Sequence, residues 1–199
     1  MFIAIEGIDG LGKSTLCRRL VPLLTQHLSR KVFLVHDPDD SPFGAFVHDL
    51  WHSSENPEAV YWPLIFAASS TKAQVERWDL GVDTILMSDR CALSTFAYCY
   101  SEAAPLSWIE VLHHRYQYPD LTIYLDIAPQ TAARRLLADG RELEGTVARL
   151  HSLRDRYLVA LDSWKSHQRS ILIVDVNGPA PDDFAIIVAE IILDFLRNQ

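Results

Sequence analysis

Phe2-Ile3-Ala4-Ile5-Glu6-Gly7-Ile8-Asp9-Gly10-Leu11-Gly12-Lys13-Ser14-Thr15-Leu16-Cys17-Arg18-Arg19-Leu20 decides how the rest of the chain is read. Gly7 to Ser14 fits G-x-x-x-x-G-K-[ST] without a mismatch, and both flanks suit it. A short apolar run precedes it, as a buried parallel strand should. An amphipathic pattern follows, with Leu16, Leu20, Leu23 and Leu24 on one helical face. Glycines leave the backbone N–H groups free to curl around a phosphate. The positive end of the following helix adds to that attraction. Lys13 is placed to reach the β- and γ-phosphates and the Ser14 hydroxyl to ligate Mg²⁺. The alternative is a plain glycine turn between strand and helix.

Working outward, the 199-residue length suits one α/β domain with a full core. Hydrophobic residues make up 49% and charged residues 22%, an ordinary globular composition. The net charge of −8, from 18 basic and 26 acidic residues, argues against a general nucleic-acid binder. It leaves nucleotides open, because a few local cations can hold phosphates inside an acidic protein. Cys17, Cys91 and Cys99 show no CxxC spacing, so neither a disulfide framework nor zinc is expected. An intracellular, cytoplasmic protein without a secretory signal is the expectation. The greasy last helix is interrupted by Glu190 and Asp194, so no membrane span is expected.

Five apolar strand candidates, at 2–6, 31–36, 84–88, 121–126 and 170–175, alternate with helical patterns. Helices are expected near 43–52, 58–80, 92–116 (in two parts, the second from about Pro105), 130–138, 146–166 and from about Asp182 onward. That alternation means βαβ units and a parallel sheet. Ligands of such sheets lie beyond the carboxyl ends of the strands. The residues there are the phosphate loop, then Asp37, Asp89-Arg90, Asp126 and Asp175 on or next to the strand ends.

Asp89 can hold Mg²⁺ or its waters, and the Arg90 fork matches two phosphate oxygens at once. A surface salt bridge is the alternative for that pair. Arg134, Arg135 and Arg141 surround Gly140, and this basic segment could fold over a triphosphate; an Arg135–Asp139 pair on a solvated helix face is the alternative. Phe66 can stack on a planar base or simply fill the core. His48 and His52 have a metal-ligand spacing but no third ligand, which favours an exposed helix face.

These stretches resemble the thymidylate kinase family, which phosphorylates dTMP with ATP. The resemblance rests on Phe2 to Thr15, on Ser88-Asp89-Arg90 with Ser94 and Ala97-Tyr98, on Phe66-Ala67-Ala68, and on Tyr124-Leu125-Asp126 with Pro129, Arg154 and Tyr157. It covers nearly the whole chain. It implies a three-layer P-loop NTPase fold, a five-stranded parallel sheet of order 2-3-1-4-5 and one kinase domain over 1–199. It further implies a lid near 134–148, a homodimer, and Mg²⁺ and ATP acting on a deoxynucleoside monophosphate. ATP would lie on Gly7, Gly10, Leu11, Gly12, Lys13, Ser14, Thr15 and Arg134, with Mg²⁺ on Ser14 and Asp89. Asp9 would bind the acceptor's 3′-hydroxyl and Arg90 its phosphate. Phe66, Ser94 and Tyr98 would line the acceptor pocket with Asp37 and Ser70. Lys13, Arg90, Asp9 and a lid arginine, Arg141, would act in the transfer.

The chain also departs from the family. His36-Asp37-Pro38-Asp39-Asp40-Ser41 stands where the family often has R-E-P-G-G-T, and Ser70 stands where it has a base-reading arginine. Two other readings use these departures. A deoxynucleoside kinase would use Asp37 or Asp39 as the base that takes a 5′-hydroxyl proton. A catalytically weak nucleotide-binding protein would simply lack the arginines. A GTPase switch is not expected, because no N-K-x-D stretch occurs.

Overall fold

The computed structural model describes residues 1–54, 56, 59–75, 81, 83–141, 146–167, 169–178 and 184–198. The strands are β1 (Phe2–Glu6), β2 (Lys31–His36), β3 (Thr84–Asp89), β4 (Leu121–Asp126) and β5 (Ile171–Asp175). The helices are α1 (Lys13–Leu28), α2 (Pro42–His52), α3 (Trp62–Val75), α4 (Ala92–Cys99), α5 (Leu106–Leu112), α6 (Pro129–Ala138), α7 (Thr146–Ser166) and α8 (Phe184–Arg197). The outer parts of the helix expected at 58–80, including Trp78, lie outside the described residues, as do Asp182 and residues 142–145 of the expected lid.

All five strands run parallel in the order β2-β3-β1-β4-β5. Side chains alternate along β1. Ile3 and Ile5 face a core built with Leu16, Leu20 and Leu24 of α1 and Val188 and Ile192 of α8. Phe2 and Ala4 face the other core, with Phe96 of α4 and Tyr157 and Trp164 of α7. Helices therefore cover both faces, giving three layers with β1 at the centre. The apolar run of β2 is not buried: Phe33 and Leu34 are exposed on the sheet edge. Likewise β5, the other edge, is only partly covered. Both are apolar sequences whose burial depends on position in the sheet, which period and composition do not encode.

Candidate active site

The phosphate loop runs from the end of β1 to the start of α1. Gly12 caps α1 with φ 75°, a left-handed conformation that favours glycine. Gly10, at φ 83°, lies so close beneath α6 that a Cβ there would sit 2.7 Å from the Ala132 carbonyl oxygen. Lys13 is 7% exposed, and its Nζ donates to the Ile8 carbonyl at 2.8 Å. Burial pushes the Lys13 ammonium down to about 8 and the nearby Arg90 cation adds to this, against the pull of Asp9, Asp89 and Glu6. Leu11 is partly buried, while Ser14 and Thr15 open α1 with exposed side chains.

Ser14 Oγ donates to Asp89 Oδ2 at 2.5 Å, bringing together the hydroxyl and the strand-end acid expected to hold a metal. The other oxygen, Asp89 Oδ1, is buried and has no hydrogen-bond partner among the described residues. An orphaned carboxylate oxygen beside a hydroxyl is a donor set that fits Mg²⁺, a hard cation that takes oxygen ligands.

Next to the loop stands a charge cluster. Arg90 follows β3 with φ 74°. Its Nη2 donates to Asp9 Oδ1 at 2.6 Å and to the Tyr98 hydroxyl at 3.2 Å. Its Nη1 donates to Ser94 Oγ and Tyr157 OH, each at 3.1 Å, and to the Gly7 carbonyl at 3.3 Å. Burial opposes the Arg90 charge, but Tyr98, Tyr157, Asp9 and Glu6 outweigh it and hold its pKa well above the ordinary value. Burial likewise pushes the Asp9 carboxyl up, and Arg90, Lys13 and Arg149 together overcome it and bring it down to about 2. Arg149 Nη2, on α7, lies 3.5 Å from Asp9 Oδ2. The structure thus gathers Asp9, Lys13, Arg90, Ser94 and Tyr98 at one spot.

A second wall is aromatic. Phe66 on α3 is half-buried against Trp62 (centroids 5.6 Å apart) and Trp51 (5.3 Å), and Trp51 reaches Tyr98 at 5.9 Å. One turn beyond Phe66, buried Ser70 donates to Asp37 Oδ2 at 2.5 Å. The acid after β2 and the residue at the family's arginine position therefore form a pair. Beyond α6, exposed Arg134 and partly buried Arg135 line an open cavity of about 420 Å³ with Thr131, Ala138, Asn177 and Gly178. Arg135 donates to the Val176 and Gly178 carbonyls at 3.2 Å each, so it is not the partner of Asp139. Arg141 is exposed and lies near enough to His52 to contribute to lowering that imidazole's pKa. Among the described residues, Arg149 and Arg90 are the arginines in ion-pair range of Asp9.

The remaining rim acids serve the frame. Asp126 takes a bidentate fork from Arg154 at 2.7 and 2.8 Å, joining β4 to α7. Asp175 accepts from the backbone and side chain of Asn177. His48 and His52 are exposed on α2, and no group of three potential ligands exists among the described residues.

A family model described as thymidylate kinase matches residues 5–183, spanning the loop, the charge cluster and the aromatic wall. The chain belongs to the thymidylate kinase family. A probable thymidylate kinase of Caldivirga maquilingensis is 30% identical, with 89% of this chain and 86% of the relative covered. The thymidylate kinase of Baumannia cicadellinicola is also 30% identical, over 81% of this chain and 84% of its own. The crystal structure of thymidylate kinase from Ehrlichia chaffeensis matches with a TM-score of 0.69 at 22% identity, covering 98% of each chain, which bears out the fold.

Within the thymidylate kinase frame, sequence reasoning gave no site role to four residues at this spot. Tyr157 enters the sequence reading only through the resemblance, and nothing in the sequence separates Trp51 from a core or interface aromatic. Arg149 carried no local signal beyond its place on a helix. Glu6 had one: a carboxylate in phase with Phe2 and Ala4 on a core-facing strand.

Proposed function

We propose that this member of the thymidylate kinase family transfers the γ-phosphoryl group of ATP to dTMP, giving dTDP. The observation that carries this reading is the Asp9–Arg90 cluster standing beside Lys13 at the mouth of a full phosphate loop. The loop amides and Lys13 hold the β- and γ-phosphates, and the adenine end lies toward Arg134 above the open cavity. Ser14 and Asp89 would hold Mg²⁺, which would supply neutralisation of phosphate charge. Arg90, held on its Nη1 side, gives up Tyr98 on its Nη2 edge to receive the acceptor phosphate, and Asp9 receives the sugar hydroxyl in place of Tyr98. Phe66 and Trp51, already in edge contact with each other, together offer one aromatic wall to the base, with Asp37 and Ser70 closing the pocket beside them. An acceptor phosphate is already anionic, so the in-line attack needs charge neutralisation more than a general base. Arg149, held against Asp9, is a cation at the transfer point, and Arg141 reaches it from the lid near 134–148.

The whole of 1–199 works as one kinase domain in the cytoplasm, in keeping with three free, buried cysteines. We also propose a homodimer: α2 and α3, which pack against each other, expose Phe46 and Leu64. No described helix is long and apolar enough to cross a membrane. ADP release with ATP and a panel of acceptors tests the function. Turnover with dTMP and none with thymidine is expected; turnover with thymidine alone would instead assign Asp37 the role of a base.

A further inference from the structure

Glu6 is a fully buried carboxylate at the end of the central strand, 0% exposed. Its Oε1 accepts from the backbone N–H of Cys91 at 2.8 Å and of Ser94 at 3.1 Å, and from Ser94 Oγ at 3.1 Å. Its Oε2 accepts from Ser94 Oγ and Tyr157 OH, both at 2.9 Å, and from the Gly7 N–H at 3.4 Å. Helix α4 has no side-chain cap of its own at Cys91. The carboxylate of β1 serves that end instead, satisfying orphan N–H groups at the positive pole of the helix.

The same two hydroxyls that donate to Glu6 receive Arg90 Nη1, each at 3.1 Å. A hydroxyl has one proton to give. With the Ser94 and Tyr157 hydroxyls donating their hydrogen bonds to Glu6, both oxygens turn lone pairs toward Arg90. Without the carboxylate, either hydroxyl could rotate its proton toward the guanidinium and repel it. Glu6 therefore acts on Arg90 through two relays from two helices, α4 and α7. Burying a carboxylate is expensive, and an apolar side chain of similar size would fill the space without that cost. The donors that converge on it account for a carboxylate being there.

We infer that Glu6 is the positioning residue of the acceptor-phosphate site, fixing the plane of the Arg90 guanidinium through Ser94 and Tyr157 while leaving the Nη2 edge, shared with Asp9 and Tyr98, to exchange partners with the acceptor. This rests on the reading of Arg90 as the acceptor-phosphate ligand. Steady-state kinetics of Glu6→Gln, Tyr157→Phe and the double variant with ATP and dTMP test it. Glu6→Gln keeps the shape but loses acceptor capacity. Its dTMP KM should rise about tenfold or more, the loss of a charge-assisted bond, while its ATP KM stays within about twofold. Tyr157→Phe should raise the dTMP KM in the same sense. The double variant should be no more than about twofold worse than Glu6→Gln, because both changes cut one chain of contacts. An unchanged dTMP KM overturns the inference, and so does an equal rise of both KM values accompanied by a lowered Tm. If Glu6→Gln does not fold, Ser94→Ala and Tyr157→Phe decide: a selective rise in dTMP KM supports the relay, and no rise overturns it. Wild-type protein inactive on dTMP would overturn the function itself, whereas active wild type with an unaffected Glu6→Gln overturns the relay alone.

Discussion

At the scale of single residues, Lys13 makes the sharpest predictions. Its ordinary pKa of 10.5 falls to about 8 in the fold. Between those values the unfolded chain binds a proton that the folded chain does not, so this group's contribution to stability rises with pH across that window. ATP needs the charged ammonium, so its affinity should fall as pH rises through about 8. Calorimetric titration at pH 7 and 9 should show roughly tenfold weaker binding at the higher pH, with proton uptake on binding. A pH-independent affinity would refute that assignment. Lys13→Ala should lower kcat by about 10²-fold or more, the scale for removing one preorganised charge from a transferring group. Arg90→Ala should impair dTMP turnover by a similar factor and leave ATP binding close to wild type, measured by the same kinetics and titration. Sequence reading reached these two residues because each sits in a motif with a mechanism. It did not reach Arg149 or Trp51, whose roles arise when α7 and α2 are folded over the loop and Phe66.

At the scale of elements, the loop depends on α6 as much as on its own glycines. Gly10→Ala would place a Cβ 2.7 Å from the Ala132 carbonyl and 2.9 Å from Leu136 Cγ, at a φ of 83°. Backbone strain and displacement of α6 should cost about 1–3 kcal/mol, read from urea unfolding, and ATP affinity should fall with it. Unchanged stability would mean that α6 yields freely. Strand positions were legible because short apolar runs between turn residues fit few alternatives, and α2 and α6 start within one residue of the positions expected, 43 and 130. Edge exposure of β2 and β5 is not written in their own residues, since Phe33 and Ile123 look alike locally; it follows from the sheet order, which the resemblance and not the local pattern supplied. The strand-end acids were expected together at one rim and they are there. Their uses differ: Asp89 faces Ser14, while Asp126 is committed to Arg154.

At the scale of the whole molecule, one buried imidazole links the core to pH. Burial lowers the pKa of His113, which packs under Phe96 and Tyr116. The unfolded chain takes up that proton near 6.5 while the folded chain resists it, so stability should fall as pH drops below 6.5. Melting curves from pH 7.5 to 5 should show a declining Tm, with a shallower decline in His113→Leu; equal slopes would exclude His113 as the cause. The apolar patch makes a separate prediction: Phe46→Glu with Leu64→Glu should convert a dimer to a monomer in sedimentation, and wild-type protein sedimenting as a monomer would contradict the homodimer. Sheet order and family were legible in the sequence through the resemblance, whereas the dimer face was not, because exposure of Phe46 and Leu64 is a property of the folded surface. The central claim is transfer between two bound phosphates, and label transfer reads it directly. With γ-³²P-labelled ATP and dTMP, the account predicts radioactivity in dTDP, none in any product when thymidine replaces dTMP, and loss of the dTDP signal in Lys13→Ala. Label appearing only on thymidine, or on neither acceptor, would contradict it.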